Sequence, residues 1–241
     1  MLHLAFVPGR EWLISSSTDR TIHVWDLEQQ KTITQLQLNE PVQKFVVMNQ
    51  DHLTFINSTG QILDWDLKNT DREPVIVYTD ENRQPFQTLA YNPVLRWLVT
   101  TSLGDIIIFP LYPISTGNLR PERFTVKHKA VVSQLEFSPD NNWLVSASQD
   151  AIMLWDMRDI GTQDIDKFVP IVIENNRPVF SLTFDEDSQY LLYGDNRLMH
   201  IYPVDIKDIY AKLKLKMGGR ELSDQEWKYY VKGELERPGG K

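Results

Sequence analysis

The sequence predicts an all-β fold built from five copies of one small sheet. An aromatic residue ends the first strand of each copy: Phe6, Phe45, Tyr91, Phe137 and Phe184. A second aromatic ends the third strand of each copy: Trp25, Trp65, Phe109, Trp155 and Tyr202. Both landmarks recur about every 40–47 residues, a period typical of repeat proteins made of small sheets. A third landmark agrees, since an aromatic begins the second strand in four copies: Trp12, Trp97, Trp143 and Tyr190.

The fourth copy shows the repeating unit most clearly. Residues 131–137 alternate between apolar and polar, as a strand does, and end at the turn Ser138-Pro139-Asp140. Two apolar strands follow, Trp143 to Ser148 and Ile152 to Trp155, joined by a tight turn at Gln149-Asp150. Three strands cannot bury both of their faces alone, so we expect the copies to stack on one another.

A candidate fourth strand follows most copies. These segments are rich in Val, Ile, Thr or aromatic residues: 31–38, 74–79, 123–127 and 168–174. Four strands per repeat of this length is the pattern of a β-propeller blade. The fifth copy has no such segment because a different pattern begins at Asp205. The predicted repeats span about 1–40, 41–80, 81–129, 130–175 and 176–204.

Residues 205–241 predict a helical C-terminal tail. Apolar residues recur there at helical spacing: Ile206, Ile209, Tyr210, Leu213 and Met217. Gly218-Gly219 ends this helix, and Ser223 with Glu226 forms a capping box for a second one. Five cationic residues make the tail basic: Lys207, Lys212, Lys214, Lys216 and Arg220. We expect the tail to pack on the propeller with its lysines in water, rather than to bind a membrane or an acidic partner.

The composition argues against several classes of function. The 241-residue chain contains no cysteine, so it has neither a disulfide framework nor a thiolate metal site. Its net charge of −8 makes it a poor general binder of nucleic acid phosphates. No apolar run approaches the roughly 18 residues of a membrane span, and the first residues lack the features of a secretory signal. We therefore expect a cytoplasmic protein without a nucleic acid or membrane partner.

The repeat motifs resemble those of WD40 repeats. That family's pattern is Phe-Ser-Pro-Asp, then Leu-x-Ser-x-Ser-x-Asp, then Ile-x-Leu-Trp-Asp. The fourth copy carries all three parts: Phe137 to Asp140, Leu144 to Asp150 and Ile152 to Asp156. The first copy carries the last two parts, at Leu13 to Asp19 and Ile22 to Asp26. The third and fifth copies are degenerate, with Phe109-Pro110 and Tyr202-Pro203 in place of Trp-Asp. The resemblance covers residues 1–204 and implies a WD40 β-propeller.

The resemblance also implies a structural tetrad of His, Ser or Thr, Asp and Trp within a blade. The fourth copy supplies all four members: His128, Ser146, Asp150 and Trp155. The first copy supplies a partial tetrad without a histidine: Ser15, Asp19 and Trp25. The third copy keeps Thr100 but has Gly104 at the Asp position, and the second has Ile56 and Gly60.

His128, Ser146 and Asp150 are also the residue types of a hydrolase triad. Because they stand at repeat positions, the sequence favours a structural role in which they satisfy buried polar groups. Two acidic stretches, 64–66 and 185–187, could indicate a hard cation, but they lack the regular alternation and glycine of such loops, so turn chemistry is favoured. We expect no catalytic residue, cofactor or metal in this chain.

A narrower resemblance concerns residues 219–230. Gly-Arg-Glu-Leu-Ser-Asp-Gln-Glu-Trp-Lys-Tyr-Tyr is similar to a short helical segment that closes bacterial multidomain WD40 proteins, with Glu221 in place of an Asn. Those proteins carry a caspase-like or a STAND-type nucleotide-dependent signalling module ahead of the propeller. Five repeats are few for the family, so the sequence favours the C-terminal part of a longer protein. The alternative is five blades that close by themselves with a three-stranded last blade.

The function predicted from the sequence is that of a non-catalytic scaffold or sensor module for protein–protein interaction. Three loops are candidate contact regions: 57–60, 82–85 and 175–178. The alternative is a propeller-type hydrolase with its site in the central channel or in the loops of the top face. The predicted inner strands are largely apolar, which disfavours an enzyme: 42–47, 86–91, 132–137 and 179–184.

Overall fold

A computed structural model of the chain describes residues 3–111, 121–124, 127–158, 169–174, 177–204 and the single residue Ser223. The predicted helical tail, including Glu226, otherwise lies outside these residues. The described segments form nineteen β-strands and no helix, so none of them contains a helix of the length and apolar character that a membrane crossing requires. The all-β prediction is confirmed.

The strands form five antiparallel sheets that follow one another along the chain. The first sheet contains β1 (His3–Phe6), β2 (Trp12–Ser16), β3 (Thr21–Asp26) and β4 (Lys31–Gln37). The second contains β5 (Val42–Val47), β6 (His52–Asn57), β7 (Gln61–Asp66) and β8 (Val75–Thr79). The third contains β9 (Leu89–Asn92), β10 (Trp97–Ser102), β11 (Asp105–Pro110) and β12 (Glu122–Arg123).

The last two sheets follow the same order. The fourth contains β13 (Gln134–Phe137), β14 (Trp143–Ala147), β15 (Ala151–Asp156) and β16 (Ile171–Glu174). The fifth contains β17 (Ser181–Phe184), β18 (Tyr190–Gly194) and β19 (Met199–Pro203), and no fourth strand lies within its described residues. In each sheet the strands pair in chain order, so each sheet is an up-and-down meander.

Strand register shows that the five copies are equivalent. In every sheet the aromatic of the third strand pairs with a leucine of the second strand: Leu13 with Trp25, Leu53 with Trp65, Leu98 with Phe109, Leu144 with Trp155 and Leu191 with Tyr202. The fourth strands vary more. The third sheet has only two residues there, because β12 ends at Arg123 and the next residue, Phe124, stacks on Trp155 of the fourth sheet with ring centroids 4.2 Å apart.

The sheets pack face to face in chain order, and the first strands of consecutive sheets lie side by side. Each pair of neighbouring sheets buries one apolar cluster. Between the fourth and fifth sheets, for example, Val145 and Leu154 pack with Leu182 and Leu191. The three middle sheets are covered on both faces, and they bury apolar side chains on both: in β11, Ile106 and Ile108 face the fourth sheet and Ile107 faces the second. The result is an arc of five blades, an arrangement consistent with a β-propeller.

The two ends of the strands form two edges of this arc. The hairpin edge holds the turns between first and second strands, where side chains join neighbouring sheets. Arg10 binds Asp51 at 3.0 Å across the first and second sheets, and the Ser188 hydroxyl accepts from the Asp140 N–H at 3.1 Å across the fourth and fifth. The connector edge holds the turns between second and third strands together with the connectors that lead from one sheet to the next.

No other described strand covers the outer face of the first sheet or that of the fifth. Leu4 and Phe6 are exposed on the first sheet, and Met199 and Ile201 are exposed on the fifth. The strands of these two sheets share no extended contact within the described residues.

Candidate functional site

The structure brings His128, Ser146, Asp150 and Trp155 into one buried network on the fourth sheet. The Trp155 indole N–H donates to the Ser146 hydroxyl at 3.2 Å, and Ser146 Oγ lies 2.8 Å from His128 Nε2. His128 Nδ1 lies 3.8 Å from the Asp150 carboxylate, beyond hydrogen-bond distance. Ser148 closes this gap, since its hydroxyl lies 2.9 Å from His128 Nδ1 and donates to Asp150 Oδ1. Ser148 is the member that the sequence analysis missed.

One pattern of donors satisfies the whole network. If His128 is neutral with its proton on Nδ1, that N–H donates to Ser148, and the Ser148 hydroxyl donates to Asp150. The Ser146 hydroxyl then donates to the bare Nε2 while it accepts from Trp155, so each hydroxyl donates once and accepts at least once. A second proton on His128 would oppose the Ser146 proton and break this chain.

Burial sets the protonation of the two titratable members. It lowers the pKa of His128, and the nearby Asp150 carboxylate opposes this only in part. Burial alone would raise the pKa of Asp150, but hydrogen bonds from the Ser148 hydroxyl and the Lys129 backbone N–H outweigh it, so this pKa lies below its usual value. Both shifts favour a neutral imidazole beside an ionised carboxylate. The His128 side chain has no exposed surface, so a substrate cannot reach it.

The partial tetrad of the first sheet is assembled differently. The Trp25 indole N–H donates to Ser15 Oγ at 2.9 Å, as Trp155 does to Ser146. Asp19 instead accepts from the Thr21 hydroxyl at 2.6 Å and from the Thr21 N–H at 3.0 Å. The hydroxyl bond is the main reason that the pKa of Asp19 is lowered. Trp25 is 36% exposed, whereas Trp155 is 1% exposed, because none of the described sheets covers the face on which Trp25 lies.

Each connector carries one side chain that binds the sheet it enters. Glu40 accepts from the Ser58 hydroxyl at 3.0 Å, Gln87 accepts from the Leu103 N–H at 2.9 Å, and Arg177 lies 3.3 Å from Asp195. His128 makes the corresponding contact with the fourth sheet. The sequence separations are 18 residues for Glu40, His128 and Arg177, and 16 for Gln87. This repeated offset is the sequence signal for the contacts that the motif comparison did not find.

Asp195 is the most strongly stabilised carboxylate of the connector edge. The backbone N–H groups of Leu198 and Arg197 hold its pKa far below its usual value, with further help from His200 and Arg177. Tyr193 stacks on His200 with ring centroids 4.7 Å apart. At its connector edge the fifth sheet therefore has a hydrogen-bonded group of Arg177, Asp195 and His200, where the fourth sheet has its tetrad.

Glycines replace the tetrad Asp in the second and third sheets because the connector backbone occupies that space. At Gly104, a Cβ would overlap the carbonyl oxygen of His128, whose N–H donates to the Gly104 carbonyl at 3.0 Å. Gly60 makes the same kind of bond with the Asp80 N–H at 2.8 Å. The first sheet makes an equivalent bond next to Asp19, from the Leu38 N–H to the Arg20 carbonyl at 2.9 Å, so this backbone bond occurs with or without the carboxylate.

The acidic stretches 64–66 and 185–187 bind protein groups. Asp64 accepts from the Thr54 hydroxyl at 2.9 Å and lies 2.7 Å from His52 Nδ1, and Asp66 accepts from the Lys68 N–H. Asp185 accepts from the Tyr190 N–H at 2.7 Å. Among the residues that the structure describes, no three His, Asp or Glu side chains are grouped so that they could hold a metal ion.

The predicted contact loops lie together on the connector edge. The turn 58–60 touches the connector 80–84 through Gly60, and residues 177–178 belong to the connector that enters the fifth sheet. Residues 175–176 lie outside the described residues. On the same edge, four large apolar side chains are about half exposed or more: Leu198 in the turn between β18 and β19, and three others, Leu103, Val131 and Phe180. Sequence reasoning missed these three because isolated apolar residues in turns carry no periodic signal.

Comparison with known proteins supports the repeat assignment. The family described as "WD domain, G-beta repeat" (WD40) matches residues 2–26 and 120–156. Both matched stretches are therefore similar to WD40 repeats. The first matched stretch includes Trp25, and the second includes the whole network from His128 to Trp155.

Three proteins from eukaryotes are similar to the chain at low identity. The Protein LST8 homolog of Drosophila melanogaster is 25% identical over 71% of this chain and 55% of its own length. The WD repeat-containing protein AAC3 of Dictyostelium discoideum is 25% identical over 74% of this chain and 36% of its own length. The Autophagy-related protein 21 of Vanderwaltozyma polyspora is 25% identical over 77% of this chain and 41% of its own length. The chain thus spans about half or less of these relatives.

Proposed function

We propose that this chain is a non-catalytic protein–protein interaction module that binds an apolar segment of a partner protein along its connector edge. The observation that carries the proposal is the row of exposed side chains at Leu103, Val131 and Phe180. They belong to the third, fourth and fifth sheets, so they form a surface that no single repeat could build.

Backbone and side-chain hydrogen bonds hold this row in place. The Val132 N–H donates to the Leu103 carbonyl at 2.9 Å, and the Gln134 side chain donates to the Phe180 carbonyl at 3.3 Å. Such preorganisation lowers the entropic cost of binding. Lys127 and Lys129 are exposed beside the row, so a partner segment with acidic residues next to its apolar ones fits best.

The buried network supports the non-catalytic reading over the hydrolase alternative. A nucleophile must be reachable by a substrate, and Ser146 and His128 are both buried. We propose that His128, Ser146, Ser148, Asp150 and Trp155 together fix the connector 127–131 and so position Val131 on the contact row.

We also propose the wider context that the tail resemblance implies. In this proposal the chain is the sensor or scaffold end of a larger cytoplasmic signalling or regulatory protein of bacterial type, and any catalysis lies in another module. The similarity of residues 219–230 to the closing segment of such proteins supports it, as does the absence of cysteine.

The test of the binding proposal starts with a displayed random peptide library that is selected on the purified full chain. We expect enriched peptides that combine apolar and acidic residues. Leu103→Asp and Phe180→Asp should each weaken binding of an enriched peptide about tenfold or more, which corresponds to about 1.4 kcal/mol. Val94→Asp is the matched control, because Val94 is an exposed apolar residue on the hairpin edge, and binding should be unchanged.

Two results would overturn the proposal. One is a selection that enriches no peptide, or peptides whose binding Val94→Asp weakens as much as Leu103→Asp does. The other is reproducible hydrolysis in a screen of ester, phosphate and peptide substrates that a connector-edge substitution abolishes.

A further inference from the structure

The outer face of the first sheet matches the face that the fourth sheet turns towards the third. In both sheets the tryptophan of the third strand, Trp25 or Trp155, donates its indole N–H to a serine of the second strand. On the fourth sheet this face is covered, and Trp155 packs in the cluster shared with the third sheet. No described sheet covers the same face of the first, where Trp25, Leu4 and Phe6 are exposed.

The first sheet also retains the residue types of the buried network on the fourth sheet, apart from the histidine. By strand register, Ser15, Ser17, Asp19 and Trp25 correspond to Ser146, Ser148, Asp150 and Trp155. The Ser17 side chain hydrogen-bonds to the Asp19 carboxylate, just as Ser148 donates to its own aspartate. No described residue of the first sheet bonds to Ser15 as His128 does to Ser146. The surroundings of an imidazole are therefore built on this face.

The two serines have hydrogen-bonding capacity to spare. Ser15 is only 8% exposed and accepts from Trp25, but no described residue accepts a hydrogen bond from its hydroxyl. Ser17 donates to Asp19, so its oxygen can still accept. A neutral imidazole offers one acceptor nitrogen and one N–H donor, which are the two roles that Ser15 and Ser17 lack. Because an unpaired buried hydroxyl is costly, this face favours a ligand that supplies both.

We propose that the outer face of the first sheet binds a segment of a partner protein through two side chains, a histidine that bonds Ser15 and Ser17 and an aromatic residue that stacks on Trp25. Trp25 keeps its exposed surface although His23 lies beside it, with ring centroids 5.2 Å apart. Its ring can therefore take an aromatic side chain, a contact that adds to the binding of the apolar surface itself.

The connector of the fourth sheet shows the spacing that such a segment needs. On that sheet His128 Nε2 lies 2.8 Å from Ser146 Oγ, and Phe124 stacks on Trp155 with ring centroids 4.2 Å apart. Phe124 precedes His128 by four positions in the sequence. We therefore expect the partner segment to carry an aromatic residue four positions before its histidine.

A synthetic peptide with the sequence of residues 121–131 has this spacing and serves as the probe. It is titrated into the ¹⁵N-labelled full chain, and the indole N–H signal of Trp25 is assigned with Trp25→Phe. We expect a saturable shift of that signal. At about pH 7.5 a free histidine is mostly neutral, so the peptide with His128→Ala has nearly the same net charge. That peptide and the one with Phe124→Ala should each bind at least about tenfold more weakly.

Two serine variants of the chain give a matched comparison. Ser17→Ala removes a proposed acceptor and should weaken binding of the unchanged peptide about fivefold, the effect of one hydrogen bond. Ser16→Ala is the control, because Ser16 is buried on the opposite face of β2 and its hydroxyl has no hydrogen-bond partner in the structure. It should leave the affinity unchanged.

The proposal is wrong if the Trp25 signal does not move up to about 5 mM peptide, a range that includes millimolar dissociation constants. It is also wrong if the peptide with His128→Ala shifts the signal equally. Self-association of the wild-type chain that Trp25→Asp abolishes would identify a second copy as the occupant and would likewise overturn it. Leu103→Asp should leave the Trp25 shift intact, so this surface and the connector edge can fail separately.

Discussion

At the scale of single residues, the fourth sheet depends on the hydroxyl of Ser148. This hydroxyl bridges the imidazole of His128 and the carboxylate of Asp150. Ser148 lies between His128 and Asp150, which are too far apart to hydrogen-bond to each other directly. A buried donor or acceptor that loses its partner costs about 1–3 kcal/mol. We therefore expect Ser148 to contribute as much to the free energy of unfolding as the tetrad residues His128 and Asp150 do.

We expect Ser148→Ala and Asp150→Ala each to lower the free energy of unfolding by about 1–3 kcal/mol. Since both break the same chain of hydrogen bonds, the double variant should lose less than the sum of the two. Urea denaturation measures all three. Ser133→Ala is the control, because the Ser133 hydroxyl makes only two long contacts of 3.4 Å, and it should change stability by less than about 0.5 kcal/mol. Additive losses would contradict the bridging role.

His128 should also make stability depend on pH. The unfolded chain takes up its proton near the usual pKa of 6.5, whereas burial lowers the pKa of His128 in the folded chain. As the pH falls through 6.5, the unfolded state binds more protons than the folded state, so the free energy of unfolding decreases. Between about pH 7.5 and about pH 5.5 the wild-type chain should lose more stability than His128→Gln does in urea titrations. Equal losses would show that His128 is not buried as a neutral group.

At the scale of elements, close backbone packing as well as hydrogen bonds holds the connectors against the sheets. The chain passes so close to the turn of the third sheet that only glycine fits at position 104. Gly9 offers a comparison, because it has a left-handed φ of 72° but a Cβ there would meet only the Gln50 side chain, at an ordinary contact distance of 3.5 Å.

Gly104→Ala should destabilise the protein by about 2–3 kcal/mol, since the new methyl group must displace the connector at His128. Gly9→Ala should cost only about 1–2 kcal/mol, which is the strain of a left-handed alanine. Urea denaturation gives both values, and hydrogen exchange at the His128 N–H should accelerate in Gly104→Ala alone. If the two variants lost equal stability without that local change, the close approach would not be significant.

The elements were largely predictable, and the reasons lie in particular residues. The aromatic landmarks mark equivalent strand positions because each third-strand aromatic must pack beside the leucine opposite it, as Trp155 does beside Leu144. Apart from the contact of His128, which the tetrad motif predicts, the contacts between connectors and sheets were not predictable from motifs, because each copy uses different residue types for them. Glu40, Gln87, His128 and Arg177 all lie in connectors, but they differ in residue type and in their distance from the next aromatic landmark. Only the offset of 16–18 residues links them.

At the scale of the whole molecule, stability comes from sheets that cover one another. Each internal sheet has two partners, and the two outer sheets have one each. Equivalent residues should therefore contribute unequally according to their place in the arc, and two tryptophans at the same repeat position allow a direct comparison.

Trp155→Ala should cost about 3–5 kcal/mol, because it removes a fully buried side chain that stacks on Phe124 and binds Ser146. Trp25→Ala removes a side chain that also binds its serine but lies on an uncovered face, so its cost should be about half as large or less. Urea denaturation of the two variants measures the difference. Equal costs would mean that something covers the first sheet in solution. Concentration-dependent stability in the wild type would then identify that cover as a second copy of the chain.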